Sequence, residues 1–387
     1  MTPAARISAA IEILDRLGKG ATVEKCLTDW ARRSRFAGSG DRAAVRDHVF
    51  AALRCRRSYA ALGGGETGRA LMIGMLRHAG AAPEDFFTGE GYAPPPLDDS
   101  EKAAGHAPVG NESCDLPDWL VPRFQAVFGP DLNAVCALMR KRAPVFLRVN
   151  PSRTTVLHVQ TLLKRESIGT RPHGLSRNAL EVFENPRKIK NSEAFINGLV
   201  ELQDVASQAL CEALPVQENS RVLDYCAGGG GKTLAMAGHC PARYYAYDAN
   251  PARMKDLPTR AKRAGISVQL LRESDVVAKA PFDLVLCDVP CSGSGAWRRA
   301  PEGKWLLSPE RLAALLTEQE SILKKAAEYV SSSGVLAYAT CSVFPEENED
   351  QIARFLDLNP GWSLVRQQHF SPLDGGDGFF LAILKRT

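Results

Sequence analysis

The apolar positions of this chain change period along its length. From about residue 205 they gather into short continuous runs near 221–226, 243–248, 267–272, 282–287 and 334–340, with helical spacing between them. Runs that are apolar at consecutive positions suit parallel strands covered on both faces. Two further β-prone runs, Trp362-Ser363-Leu364-Val365 and Phe379-Phe380-Leu381-Ala382-Ile383-Leu384, close the chain. Five strand–helix units and a final strand pair predict an α/β domain with a doubly wound sheet. Residues 1–80 read as helices instead. Ile7, Ala10, Ile11 and Leu14 recur at helical spacing, as do Val45, Val49, Ala52 and Leu53, with Asp41 placed to cap the second of these helices. Residues 84–118 lose periodicity, hold Pro94-Pro95-Pro96, nine acids and one lysine, and read as a linker or long surface loop. Helical spacing returns from Leu116 to about Lys141, before a strand at 144–150 and a helix at 154–165. There is no internal repeat.

The 387 residues exceed one typical core and predict two or three domains. The net charge of +4 is unevenly placed. Residues 1–60 carry twelve Lys/Arg, among them Lys19, Arg32, Arg35, Arg42, Arg46 and Arg54, against six acids. A basic end domain suits a polyanionic partner such as RNA, although a solvated helix face gives the same count. The ten cysteines are scattered, without a C-x-x-C pair, so neither a disulfide framework nor the usual zinc spacing is expected. No membrane span and no export signal are expected either, and a reducing cytoplasm is the natural setting.

Arg221-Val222-Leu223-Asp224-Tyr225-Cys226-Ala227-Gly228-Gly229-Gly230-Gly231-Lys232-Thr233 reads as strand, glycine loop and helix start. Such a loop lets backbone N–H groups approach a ligand closely. A P-loop would need glycine at Cys226, and a dinucleotide fingerprint would need glycine at Thr233. S-adenosylmethionine remains as the candidate ligand, because its methionine and ribose need no phosphate cradle. Three successive strand exits end in acids. Asp248 is placed for the ribose hydroxyls, with Arg253 on the following helix; Asp275 is placed for the adenine amino group; and Asp288 comes third. Each alone would read as a cap or surface residue.

Two cysteines close two of the predicted strands: Cys291 in Asp288-Val289-Pro290-Cys291 and Cys341 in Ala339-Thr340-Cys341. Ligands of open α/β sheets bind at strand exits, so two thiols behind a glycine loop predict covalent attack on a substrate. Cys26, Cys55, Cys114, Cys136, Cys211, Cys240 and Cys287 read as small buried hydrophobes.

With these motifs in hand, the chain resembles the RNA cytosine-C5 methyltransferases, and within them the bacterial 16S rRNA type known as Sun/Fmu. The matching segments are Asp224–Thr233, Asp288–Gly295, Arg298–Pro301, Lys304-Trp305, Tyr338–Glu349 and the lead-in Gly198–Ser207. The resemblance covers roughly residues 115–387. It implies a Rossmann-like class I methyltransferase domain with a seven-stranded, mostly parallel sheet. By the resemblance, Cys341 is the nucleophile, Cys291 is needed for product release, and Cys226, Ala227, Gly228, Gly229, Gly230, Gly231, Lys232, Asp248, Asp275 and Asp288 hold S-adenosylmethionine. Gly229 stands where the family usually has proline. The helical N-terminus resembles, more weakly, a NusB-like RNA-binding domain through Asp41–Arg46 and Ala52–Arg54. The implied organisation is a helical domain at 1–83, a linker at 84–115, a small α+β RNA-binding segment at 116–204 and the methyltransferase domain at 205–387.

The chemistry suits thiols. A thiolate added at cytosine C6 makes C5 nucleophilic, Asp288 lies where it can serve N3, and a base at or near Cys291 would remove the C5 proton. The base must leave its stack to react. Arg298, Arg299 and Lys304 are expected on RNA phosphate, Pro186-Arg187-Lys188-Ile189-Lys190 is a second candidate contact, and Trp297 and Trp305 either stack on bases or pack. A monomer without metal, acting on rRNA, is expected. A tRNA enzyme and a non-catalytic ribosome-assembly factor are the rivals, the latter having no need of two cysteines.

Overall fold

The computed structural model describes residues 1–17 and 21–387; Lys19, one of the basic residues counted above, lies outside them. The chain divides into two compact units, one of Met1–Arg142 with Trp297–Leu306, the other of Ala143–Ala296 with Leu307–Thr387.

In the second unit, β1 (Val145–Val149), β2 (Thr170–His173), β3 (Ser176–Val182) and β4 (Val200–Leu202) form an antiparallel sheet in the order β2-β3-β1-β4. The helix Val156–Arg165 covers it, with Val159 and Leu163 packed among Leu147 and Leu180. The larger sheet contains β5 (Arg221–Asp224), β6 (Arg243–Ala246), β7 (Val268–Leu270), β8 (Phe282–Asp288), β9 (Val330–Thr340), β10 (Trp362–Phe370) and β11 (Phe379–Arg386). Its order is β10-β11-β9-β8-β5-β6-β7, parallel from β9 to β7 with an antiparallel pair at one edge. The continuous apolar runs have a simple cause. Successive residues enter opposite cores: Leu223, Val285, Cys287, Leu336 and Tyr338 on one face, Val222, Leu284, Leu286, Ala337 and Ala339 on the other. Strand order reverses at β5, which has β6 on one side and β8 on the other. The crevice beyond their exits is where such a sheet receives a ligand.

The first unit is helical, with α1 (Pro3–Leu17), α2 (Val23–Arg33), α3 (Ser39–Arg54), α4 (Arg56–Gly63) and α5 (Gly68–His78) closing around Ile13, Cys26, Trp30, Val45, Val49 and Met72. Residues 84–115 do not behave as a free linker. Phe87 and Leu97 enter this core. The Arg69 guanidinium donates to Glu101 and to the Pro95 and Pro96 carbonyls, and Arg77 donates to the Leu62, Glu101 and Ala104 carbonyls. Two arginine forks thus satisfy carbonyls of a proline-rich backbone that has few N–H donors of its own. The predicted long helix at 116–141 is split at Gly129-Pro130 into Val121–Phe128 and Leu132–Met139, because proline cannot supply an interior helical N–H.

Candidate active site

The glycine loop begins where β5 ends. Gly228 and Gly230 adopt left-handed φ of 51° and 75°, and a Cβ at Gly230 would fall 2.2 Å from Leu257 Cδ1. Only glycine meets both demands there. The helix Gly231–His239 starts directly after this turn. Two loop carbonyls are tied from outside. Buried Arg148 on β1 donates to the Gly231 carbonyl at 2.9 Å, and Arg260, held by Glu201 at 2.9 Å, donates to the Gly229 carbonyl. Gly229, where the resemblance expects a proline, is therefore restrained by a guanidinium.

Asp248 is buried and occupied on both oxygens. Oδ2 accepts the Gly228 N–H and Oδ1 the Asn250 N–H, each at 2.9 Å, while Arg253 pairs with Oδ2 at 3.1 Å. Asp275 accepts the Arg272 N–H at 3.0 Å, closing the cap of the helix Glu273–Lys279. Asp224, fully buried, accepts the Thr233 hydroxyl at 2.6 Å through Oδ2, but its Oδ1 has no hydrogen-bond partner. Burial, reinforced by the charge of Asp288, pushes its pKa up to about 7. Cys226 lines the same region, and burial drives its thiol well above the ordinary range.

Lys232 Nζ donates to Asp288 Oδ2 at 2.7 Å and lies 5.0 Å from the centre of the Phe379 ring. Burial by itself lowers an ammonium, but the Asp288 charge outweighs it and the Lys232 pKa stands above its usual value. The pair crosses the switch point from the helix after β5 to the exit of β8.

Beyond the β8 and β9 exits, Cys291 Sγ and Cys341 Sγ lie 3.4 Å apart, both partly exposed. The hydrogen bond to Cys341, then burial, then the Cys341 and Glu347 charges raise the Cys291 pKa well above the ordinary thiol value. Cys291 therefore holds its proton more tightly than a free thiol. Around the pair, Glu347, Ser292, Ser342 and Gln319 form a buried polar network.

The basic cluster after Cys291 is not where an RNA contact requires it. Arg298 and Lys304 are buried inside the helical unit. Lys304 Nζ donates to the Arg54 carbonyl at 2.9 Å, and Arg54 donates to the Arg298 carbonyl at 2.9 Å. Burial lowers the Lys304 pKa to about 8. Trp297 stacks on Phe124 and the Trp305 indole donates to the Leu53 carbonyl, so both tryptophans pack. Arg299 stays exposed, as do Arg187, Lys188 and Lys190. Much of the N-terminal positive charge is also paired, as in Arg6–Asp41, Arg16–Asp29, Arg33–Glu12 and Arg46–Glu24. A cavity of about 690 Å³ remains on that unit, lined by Arg32, Arg35, Arg42 and Arg46 with Trp30 and Glu24.

A doubly wound sheet with a glycine turn at its switch point, acids at three strand exits and a long antiparallel edge pair is a class I methyltransferase fold. Solved structures agree on the fold. The crystal structure of PH0851 covers 100% of this chain with 99% of its own, at 23% identity and a TM-score of 0.78. A methyltransferase homologue from Pyrococcus horikoshii covers 72% at 22% identity, with 97% of its own chain matched and a TM-score of 0.63. Residues 211–385 match the family described as 16S rRNA methyltransferase RsmB/F, and residues 116–190 match its ferredoxin-like domain. Ribosomal RNA small subunit methyltransferase B of Yersinia pestis is 31% identical over 72% of this chain and 68% of its own length. The Citrobacter koseri and Vibrio cholerae proteins of that name are 32% identical over 69% and 70% of this chain. The chain belongs to the RsmB/F family, whose cofactor is S-adenosylmethionine. It spans just under two thirds of the Citrobacter and Vibrio proteins, at 66% and 65%. The cofactor's ribose hydroxyls and amino groups need acceptors in a close-approach cradle. The orphaned Asp224 oxygen and the two left-handed glycines fit that need.

Arg148, Arg260, Gln319 and Glu347 carried no functional signal in the sequence. Glu347 lies within the Tyr338–Glu349 segment, but only the fold shows which side chains it meets.

Proposed function

We propose that this protein transfers a methyl group from S-adenosylmethionine to C5 of a cytosine in 16S rRNA, in the cytoplasm, through a covalent adduct on Cys341. The thiol pair carries the reading: two sulfurs 3.4 Å apart at neighbouring strand exits, beside Lys232–Asp288. Binding alone needs neither thiol. Family membership supports rRNA as the substrate class.

Residues Cys226–Lys232 with Asp248, Arg253, Asp275 and Asp288 would hold the cofactor, which supplies a methyl group on a sulfonium. Cys341 Sγ, as thiolate, adds to C6 of an unstacked cytosine. The displaced electron pair moves to N3, which takes a proton from solvent; the Asp288 carboxylate accepts a hydrogen bond from that N3–H, with the Lys232 ammonium balancing its charge. C5 then accepts the methyl group. A base at or near Cys291 removes the C5 proton, the C6–S bond breaks, and Cys341 leaves as thiolate.

The test is trapping. Cys341→Ser should abolish methylation and leave no adduct, because a hydroxyl is not ionised near neutral pH. Cys291→Ser should leave enzyme joined to RNA, seen as a slow band on a denaturing gel, and the double variant should lose that band. A band in Cys341→Ser but not in Cys291→Ser would reverse the roles. Unchanged turnover in both single variants would remove the covalent mechanism.

A further inference from the structure

Each active-site cysteine is gripped by its chain neighbours, and both grips meet at one buried carboxylate. Glu347 is fully buried. Its Oε1 accepts the Ser292 N–H at 2.8 Å and the Gln319 amide at 3.0 Å. Its Oε2 accepts the Ser292 hydroxyl at 2.5 Å and the Ser342 hydroxyl. Four donors fill the four acceptor sites of a carboxylate. Ser292 follows Cys291 and Ser342 follows Cys341, so one side chain holds the residue after each thiol. The residues before them are fixed as well. The Gln319 amide also donates to the Pro290 carbonyl at 2.9 Å, and the Thr340 hydroxyl donates to Asn348 at 2.5 Å. The two cysteines are 50 residues apart in the chain, on loops that leave paired strands and also share the Gly295 N–H to Cys341 carbonyl bond at 2.9 Å and the Ser294–Ser342 hydroxyl contact at 2.9 Å; to these Glu347 adds one carboxylate that grips the residue after each thiol.

We propose that Glu347 is a positioning residue that sets the Cys291–Cys341 distance, and with it the rate of the thiol chemistry. The proposal rests on the reading of Cys341 and Cys291 as the reacting pair. A buried carboxylate with all donors satisfied orders both loops before substrate arrives, and small misplacements of reacting groups are expensive in rate.

The direct readout needs neither RNA nor turnover. Dibromobimane becomes fluorescent only when both its arms have alkylated thiols, and it should join Cys291 to Cys341 in the wild-type protein, with Cys291→Ser as the blank. Glu347→Ala should slow this cross-linking and kcat by about tenfold or more, while S-adenosylmethionine Kd stays within about twofold. Glu347→Gln keeps the shape, and both serine hydroxyls can turn to accept its amide, so cross-linking should recover to within about threefold of wild type. Should Glu347→Ala not fold, Ser292→Ala/Ser342→Ala removes both hydroxyl donors and is read the same way. Wild-type cross-linking rates in the alanine variants would overturn the proposal. So would a loss of cross-linking that carries cofactor binding down with it, since that marks a general core defect. A wild-type protein that cross-links but makes no 5-methylcytosine would instead refute the methylation reading and leave the role of Glu347 standing.

Discussion

Replacing Asp248 tests the cofactor site most sharply, because the structure makes the isosteric variant informative. Both carboxylate oxygens accept backbone N–H groups at 2.9 Å, from Gly228 in the glycine turn and from Asn250. Asp248→Ala removes the charged acceptor proposed for the ribose, about 1.5–3 kcal/mol, and affinity for S-adenosylmethionine should fall about tenfold or more. It also orphans the buried Gly228 N–H, which costs about 1–3 kcal/mol in the order of the turn itself. Arg253, whose side chain is 55% exposed, adds little, because solvent screens its pairing. Asp248→Asn keeps the size of the side chain but not the pattern. Its amide nitrogen must face one of two N–H donors, so one contact becomes donor against donor. The asparagine variant should therefore bind nearly as weakly as the alanine variant. Isothermal calorimetry gives the Kd, and a thermal melt of each variant separates loss of site from loss of fold. Wild-type affinity in Asp248→Asn would show that the two oxygens are not both required as acceptors. Unchanged affinity in Asp248→Ala would remove Asp248 from the site.

Two further outcomes are expected. Asp224 has a folded pKa near 7 against an ordinary 3.8, so between these values the folded protein keeps a proton that the unfolded chain has lost. Stability should fall as pH rises from about 4 to 7, by at most about 4 kcal/mol, then level off; Asp224→Asn should flatten that slope in denaturant titrations, and an unaltered slope would refute the assignment. On the helical unit, Arg32→Glu/Arg35→Glu should weaken RNA binding and make it less salt-dependent while leaving cofactor Kd unchanged. Unmoved RNA affinity would make that face a solvated one. Charge reversal is the cleaner perturbation here, because deleting residues 1–80 would strip the partners of Lys304 and Trp305.

The sequence by itself determined what local pattern can carry. Apolar runs give strands because both faces of a parallel sheet are buried. Glycines at 228 and 230 give a turn because the backbone there is left-handed. The cysteines at two strand exits, and the acids at three, fall at the ligand edge because strand exits share one edge of the sheet. Contacts without periodicity stayed hidden. The 84–115 stretch looked like a linker because its order comes from Arg69 and Arg77, two side chains of the helix before it, and no spacing rule records that. Arg298 and Lys304 looked like phosphate ligands because a lysine's charge is visible in sequence, but its burial is not. The partner of the Lys232 ammonium, Asp288, lies 56 positions away, and no spacing rule pairs them. Glu347 looked like one acid among several. Only the tertiary structure brings the loops after β8 and β9 to the same carboxylate, because which side chains share a buried polar site depends on strand order and loop path, not on neighbours in the chain.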